Sequence, residues 1–120
     1  LYESTPEEMY FPYIRPQENG YRTETRWLTL ADHQGIGLKF AGMPLFGFSV
    51  LPYTIENLDQ GIKKNYQHTC DLIPTDFYEV MIDLKQMGVG GDDSWGARPH
   101  SQYQIPAGKY TFSFRMTPIR

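Results

Sequence analysis

Cysteine is almost absent from this 120-residue sequence, and so are clusters of basic residues. The single cysteine, Cys70, excludes a framework of intrachain disulfides, and because no base is recognisably paired with it we expect a buried, unreactive thiol. No stretch approaches the roughly 18 consecutive apolar residues of a membrane-spanning helix. A formal net charge of −3 without a Lys/Arg cluster argues against a nucleic-acid or anionic-membrane partner. Stability must therefore come from packing, and the length predicts one domain, or part of one.

The amino-terminal end gives little information about location. The chain begins at Leu1 without a charged-then-apolar leader, so we expect that the native N-terminus lies elsewhere. The sequence therefore does not distinguish a cytoplasmic from a periplasmic protein. Residues 1–12 are polar, proline-bounded and without periodicity, which predicts an extended lead-in before a domain at 13–120.

Alternation of polar and apolar residues predicts that most of the chain is β-strand. We expect one short helix that begins at the N-cap Thr54 and presents one apolar face as far as Tyr66. Turn signals separate the strands, notably at Asp32–Gly35, Gly42–Pro44 and Pro106–Gly108. The predicted strands are Arg22–Leu30, Ile36–Phe40, Phe46–Val50, Gln67–Leu72, Tyr78–Leu84, Gln102–Ile105 and Tyr110–Met116. Of these, Ile36–Phe40 and Phe46–Val50 are expected to form a hairpin. About seven strands and one helix predict an all-β sandwich.

The segment Met87–Gly96 holds four glycines in ten residues. Glycine loses more conformational freedom on folding than any other residue, so such a loop must be held by something. Aspartate and serine side chains can hydrogen-bond nearby backbone amides in tight turns. The residues expected to brace the loop are Gly90, Gly91, Asp92, Asp93 and Ser94. The sequence therefore predicts a stiffened loop that presents Trp95 outward from its tip.

Two motifs, in this order along the chain, carry a resemblance to a known family. They are Pro16-Gln17-Glu18-Asn19-Gly20-x-Arg22-x-x-x-Arg26-Trp27 and Met87-Gly88-x-Gly90-Gly91-Asp92-Asp93-Ser94-Trp95-Gly96. The chain from about Tyr13 to Phe114 resembles the C-terminal small-chain domain of the glycoside hydrolase family 2 β-galactosidases. That resemblance implies an antiparallel β-supersandwich of the galactose mutarotase-like kind, of which this chain is the C-terminal half. It also implies that the Trp95 loop leans over the active site of a neighbouring TIM barrel.

The resemblance implies a function as part of a retaining hydrolase of terminal β-D-galactosides such as lactose. Trp95 then stacks on the sugar in the aglycone subsite, since an indole face covers the apolar side of a pyranose. Both catalytic glutamates lie in the barrel, so this chain alone is not expected to be catalytic. Magnesium and sodium are expected in the complete enzyme, with their ligands in other domains. The implied partners are the rest of the enzyme and a galactoside or acceptor sugar.

Other residues in the loop and its surroundings suggest alternative chemistry. Asp92 and Asp93 beside glycines invite a calcium site, but calcium-binding nonapeptides recur along a chain and this one does not. Three scattered histidines do not resemble a zinc site. Ser94, His100 and an aspartate name a hydrolase triad, but Ser94 has no G-x-S-x-G elbow. His100 could orient the loop or contact sugar hydroxyls, and a surface or packing role is the simpler alternative.

Glu18 is the remaining candidate, because a retaining glycosidase needs two carboxyl groups about 5–5.5 Å apart. Glu18 with Asp92 or Asp93 is the pair that the sequence offers. The simpler interpretation is that Glu18 accepts hydrogen bonds within its own turn or pairs with Arg22 or Arg26.

Two rival functions remain open. An aromatic content of 15%, with nine tyrosines, also fits a stand-alone carbohydrate-binding module. A structural or assembly domain is the other alternative, because half of a sandwich leaves a sheet edge or an apolar face uncovered. For such an uncovered half sandwich we expect the isolated chain to self-associate or to adhere to a partner.

Overall fold

A computed structural model describes residues 1–14, 19–59, 61–62 and 68–120. Their regular elements are α1 Pro6–Met9, β1 Arg22–Ala31, β2 Gly37–Leu51, α2 Ile55–Leu58, β3 Glu79–Asp83 and β4 Phe114–Ile119, with 3₁₀ turns at Thr69–Asp71 and Ser101–Tyr103. The four strands form one sheet in the order β1-β2-β3, and β4 also pairs with β2. The prediction of an all-β, antiparallel fold is confirmed. Within the described ranges, no helix is long and apolar enough to cross a membrane.

The chain divides into two compact units. The first, called unit 1, comprises Leu1–Arg22 and Phe48–Ile82, and the second, called unit 2, comprises Thr23–Gly47 and Asp83–Arg120.

Unit 1 packs around three buried leucines, Leu51, Leu58 and Leu72. Tyr10 packs against this cluster, and its ring centroid lies 4.9 Å from that of Tyr53. Where an extended lead-in was predicted, Pro6–Met9 form a helix whose Thr5 cap is closed by Glu8 in a capping box. The lead-in is thus partly helical, and Tyr10, which follows the helix, packs against the core.

The turn between β1 and β2 is where the sequence places it. The Gly35 amide donates to the Asp32 carbonyl oxygen at 3.0 Å, and Asp32 Oδ1 accepts from the amides of Gln34 and Ile36 at 2.8 and 3.0 Å. Gly35 has φ +81°, which a residue with a side chain rarely adopts. The prediction of a turn at this position is therefore confirmed.

The hairpin predicted between Ile36 and Val50 is wrong, because Gly37–Leu51 form one continuous strand, β2. The break was expected at Gly42–Pro44, yet the Met43 amide donates to the Ser113 carbonyl oxygen at 3.2 Å. Met43 therefore has a backbone partner where the chain was expected to reverse. The Met43–Pro44 peptide bond is cis.

In unit 2, strand β4 is antiparallel to β2, with Phe40 opposite Met116 and Gly42 opposite Phe114. Alternate residues share a face, so Phe40, Phe114 and Met116 lie on the same side of the sheet. The ring centroids of Phe40 and Phe114 are 6.3 Å apart. Phe40 is buried, whereas Phe114 and Met116 are exposed, which leaves part of this apolar face open to solvent.

Several local predictions are corrected by the structure. Helix α2 begins at the predicted Thr54 cap but ends at Leu58, and Gly61 at φ +81° does not continue it. Ile62, expected on its apolar face, is fully exposed. The strand predicted at Gln67–Leu72 is a 3₁₀ turn over Thr69–Asp71. Tyr66 and Gln67 lie outside the described residues.

Three further expectations, for Cys70 and for the last two predicted strands, are also corrected by the structure. Cys70 is exposed rather than buried, because it lies in this surface turn beside Asp71. The short strand predicted at Gln102–Ile105 begins as a 3₁₀ turn, Ser101–Tyr103. The last strand runs over Phe114–Ile119, three residues beyond the predicted end at Met116, because its backbone pairs with β2.

Candidate functional site

The glycine-rich loop follows strand β3, and its base is closed by the backbone. The Gly88 amide donates to the Tyr103 carbonyl oxygen at 2.8 Å. The Cβ of Tyr103 and the ring of Pro99 lie so close to Gly88 that an added methyl group there would contact both at 3.0 and 3.3 Å. The segment between these residues therefore leaves and returns to one point of unit 2.

Asp93 organises the tip of the loop. Its Oδ1 accepts hydrogen bonds from the backbone amides of Trp95 at 2.7 Å and Ala97 at 3.3 Å. A side-chain oxygen that accepts an amide two residues ahead forms an Asx turn. Gly96 completes the reversal with φ +102°, in the region that favours glycine. The carboxylate thus holds the backbone on both sides of Gly96.

The glycines of the loop differ in what they contribute. A Cβ at Gly91 would overlap the backbone carbonyl of Ala97, so the two arms of the loop touch at that point. At Gly90 an added Cβ would meet no atom within 4 Å. Ser94 is exposed, and its side chain makes no hydrogen bond with another residue of the described ranges. Close approach of the arms therefore depends on Gly91.

A side-chain pair also joins the two arms. His100 Nε2 lies 2.8 Å from Asp92 Oδ1 and 3.0 Å from Oδ2, so the imidazole N–H donates to the carboxylate. Both side chains are exposed, at 60% for His100 and 81% for Asp92. The structure therefore brings Asp92 and His100 together across eight positions of sequence.

Trp95 lies at the tip with 93% of its surface exposed. Tryptophan is usually highly buried, and an indole left in water at the end of a braced loop is available to a ligand or a partner. The loop is thus a platform rather than a cavity. Beside it in unit 2, a shallow depression of about 240 Å³ is lined by Asp83, Leu84, Lys85, Ile105 and Tyr110. It is smaller than the roughly 300 Å³ at which small-molecule pockets begin.

The geometry bears on the other candidate chemistry. Asp92 and Asp93 direct their carboxylates to different partners, and the described parts of the chain contain no group of three or more His, Cys, Asp or Glu arranged for a metal ion. The Nε2 atom that would take a proton from Ser94 in a triad contacts Asp92 instead. Glu18, with the turn residue Gln17 and the arginine Arg15, lies outside the described residues.

Two residues, Ala97 and Tyr103, make loop contacts that were not expected from the sequence. Ala97 supplies a backbone amide to Asp93 and a carbonyl against Gly91, and Tyr103 supplies the carbonyl that closes the base. Both act through backbone atoms, so their side-chain identities carry no signal.

Comparison with known proteins gives a consistent family. A family model described as "Beta galactosidase small chain" matches residues 1–116. The chain is 38% identical to a beta-galactosidase of Priestia megaterium over 120 residues, and 36% identical to one of Streptococcus thermophilus over 120 residues. A beta-galactosidase of Vibrio vulnificus strain CMCP6 is 33% identical over 118 residues. These alignments cover 99%, 98% and 98% of the chain but only 11%, 11% and 10% of the three relatives.

Proposed function

The chain belongs to the β-galactosidase small-chain family, and from this membership we propose that it forms part of a β-galactosidase to which it contributes the Trp95 loop as one wall of the sugar-acceptor subsite. The chain spans about a tenth of the length of the curated relatives that it matches. In this proposal, the complete enzyme is a retaining, family 2 glycosidase that hydrolyses terminal β-D-galactosides such as lactose. Its paired catalytic glutamates belong to a TIM barrel outside the chain.

The observation that carries the proposal is the exposure of Trp95 at the tip of a loop held at several points. A flat indole loses little conformational freedom when it meets the apolar C–H face of a pyranose, and it leaves the sugar hydroxyls free for other partners. Because the loop is already ordered, binding has less entropy to overcome. Such a platform accepts a variable aglycone and does not require a single geometry of hydroxyl groups.

The carboxylates of the loop support a positioning role rather than catalysis. A retaining mechanism needs one carboxyl group as nucleophile and a second as acid, about 5–5.5 Å apart. Asp93 is engaged by two backbone amides, and Asp92 by His100. In this proposal the chain therefore binds and orients the acceptor sugar, and the barrel performs bond cleavage. The magnesium and sodium that the family resemblance implies are assigned to other parts of the enzyme.

The rest of the enzyme is also proposed to cover the open apolar face of unit 2. Phe114 and Met116 are exposed beside the buried Phe40, and contiguous exposed apolar surface marks an interaction site. An isolated chain that lacks this cover should associate with itself. Size-exclusion chromatography of residues 1–120 at several concentrations tests this, and a monomer at all concentrations contradicts it.

The test of the acceptor role uses the complete enzyme with Trp95→Ala, Trp95→Phe and, as a control, Phe77→Ala. Phe77 is an exposed aromatic residue in unit 1, away from the loop in sequence. Loss of one stacking contact costs on the order of 1 kcal/mol, or about fivefold in affinity. We expect Trp95→Ala to lower the ratio of transglycosylation to hydrolysis at fixed glucose by about that factor, with Trp95→Phe intermediate.

Hydrolysis of lactose and transglycosylation to glucose, measured on the same variants, identify the subsite. Phe77→Ala should behave as the wild type in both reactions. If Trp95→Ala leaves acceptor affinity and the transglycosylation ratio as they are in the wild type, the indole is not part of the acceptor subsite. If the isolated chain binds galactosides at millimolar affinity or better, a stand-alone carbohydrate-binding module is favoured instead.

A further inference from the structure

The two arms of the Trp95 loop meet at three levels. At the base, Gly88 and Tyr103 are joined through the backbone, and in the middle Gly91 lies against the Ala97 carbonyl. The third contact, between Asp92 and His100, involves side chains alone. Of the three, it can therefore be removed or restored by substitution with the least disturbance of the backbone.

From this arrangement we propose that His100 is a positioning residue, which limits the motion of the loop through Asp92 and thereby holds Trp95 in place. The role of Trp95 toward a sugar rests on the proposed function, whereas the restraint on the loop does not. The imidazole Nε2 lies within 3.0 Å of both carboxylate oxygens, so small rotations of either side chain keep one hydrogen bond. The pair closes a ring of backbone that contains the whole tip.

The physical effect is local rather than global. An exposed side-chain hydrogen bond of this kind shifts an equilibrium by only about two- to fivefold, because water competes for both partners. That is too little to decide whether the protein folds. It is enough to change how often a short loop opens, because closing a loop of this length has a modest entropy to overcome. The effect is therefore expected in loop opening and in reactions that depend on Trp95.

The experiment measures amide hydrogen exchange at millisecond to second times, in the complete protein, on peptides that contain Trp95 and Ala97. These two amides donate to Asp93, so their exchange reports opening of the tip. We expect His100→Leu to accelerate their exchange about two- to fivefold. His100→Gln should restore much of the protection, because the glutamine amide presents an N–H donor near the position of Nε2.

Control variants separate the pair from general effects. Asp92→Ala should match His100→Leu, and the double variant should show no further acceleration, because both substitutions remove the same interaction. His33→Leu, in the exposed turn before β2, should leave exchange of the loop peptides as in the wild type. Wild-type exchange in His100→Leu, or equal acceleration in His100→Leu and His100→Gln, overturns the proposal.

Kinetics then link the loop to the acceptor reaction. We expect His100→Leu to lower the ratio of transglycosylation to hydrolysis in the same direction as Trp95→Ala but by less, and His100→Gln to recover it. Accelerated exchange in His100→Leu combined with no effect of Trp95→Ala on acceptor binding overturns the acceptor role and leaves the restraint standing. If Trp95→Ala weakens acceptor binding but exchange in His100→Leu is unaltered, the restraint is overturned and the acceptor role stands.

Discussion

The Asp93 carboxylate accepts the backbone amide of Trp95 at 2.7 Å, so the residue that presents the indole is held by the side chain two positions before it. The same oxygen accepts the Ala97 amide. This makes the tip a local unit whose shape depends little on distant contacts. In the proposed function, a platform that is shaped before the sugar arrives binds it with a smaller loss of conformational freedom, so a braced tryptophan suits that role better than a mobile one.

Substitution of Gly91, but not of Gly90, should make the loop easier to cleave. Gly91→Ala places a methyl group on the Ala97 carbonyl, whereas Gly90→Ala points into open space. Forcing a methyl group into a packed contact costs about 1–3 kcal/mol, so Gly91→Ala should push the arms apart and increase chymotrypsin cleavage after Trp95. Gly90→Ala should be cleaved as slowly as the wild type. Equal cleavage of the two variants contradicts the close approach of the arms.

A hydrogen bond between Tyr78 and Glu7 should make the docking of α1 depend on pH. The Tyr78 hydroxyl donates to Glu7 Oε1 at 2.6 Å, which lowers the pKa of Glu7 and raises the pKa of Tyr78. The stabilisation from Glu7 is present above its unfolded-state pKa and is lost as pH falls through the lowered folded value. The stabilisation from Tyr78 is present below its unfolded-state pKa and is lost as pH rises through the raised value.

Tyr78→Phe should therefore loosen α1 most at neutral pH, and the difference from the wild type should shrink at both extremes. Hydrogen exchange of a peptide covering residues 5–14, compared between the two proteins at each pH, measures this difference. Tyr2→Phe, at an exposed tyrosine, is the matched control. A difference that stays constant from acidic to alkaline pH would show that the hydrogen bond does not link Glu7 to Tyr78.

Ser49 offers a stability test within β2. Its side chain is 1% exposed, and its Oγ has no hydrogen-bond partner among the described residues. Burying a hydroxyl without a partner is unfavourable, so Ser49→Ala should leave the free energy of local unfolding unchanged or raise it by about 1 kcal/mol.

Thr75 is the contrasting case, since its Oγ1 lies 2.6 Å from the Phe77 carbonyl oxygen and 3.1 Å from that of Pro52. Thr75→Val should lower the free energy of local unfolding by about 1 kcal/mol. Denaturant-dependent hydrogen exchange in the complete protein measures both effects. A peptide covering β2 reports on Ser49→Ala, and one containing Thr75, whose amide donates to the Pro52 carbonyl oxygen at 2.8 Å, reports on Thr75→Val. Destabilisation by Ser49→Ala would mean that its hydroxyl has a partner in the complete protein.

The wrong prediction of a hairpin came from two local signals that point to different structures. Ile36, Leu38, Phe40, Phe46, Phe48 and Val50 are all even-numbered, so the alternation passes through Gly42–Pro44 without a change of phase. That parity fits one strand, but glycine and proline are strong turn signals and outweighed it. The backbone partner at Ser113 lies about 70 positions away, which local patterns do not reveal.

The tip of the loop was accessible to local reasoning, and its cross-loop contacts were not. Asp93 acts on residues two and four positions ahead, the range over which side chains compete for backbone amides. The Asp92–His100 pair spans eight positions of irregular chain, where no periodicity predicts which residues meet. Cys70 shows the same limit, because burial of a lone residue is decided by what packs over it.

The sequence itself determined the features that depend on interactions between residues a few positions apart. These features are the alternation along β1 and β3, the turn at Asp32, and the presence of Trp95 beside aspartates and glycines. Only the tertiary structure decided four other features. They are the continuity of β2, the register that sets Phe40 opposite Met116, the contact of Gly91 with Ala97, and the exposure of Cys70. These features depend on which distant backbone segments come within hydrogen-bonding distance. That choice minimises the free energy of the whole chain, and local patterns do not determine it.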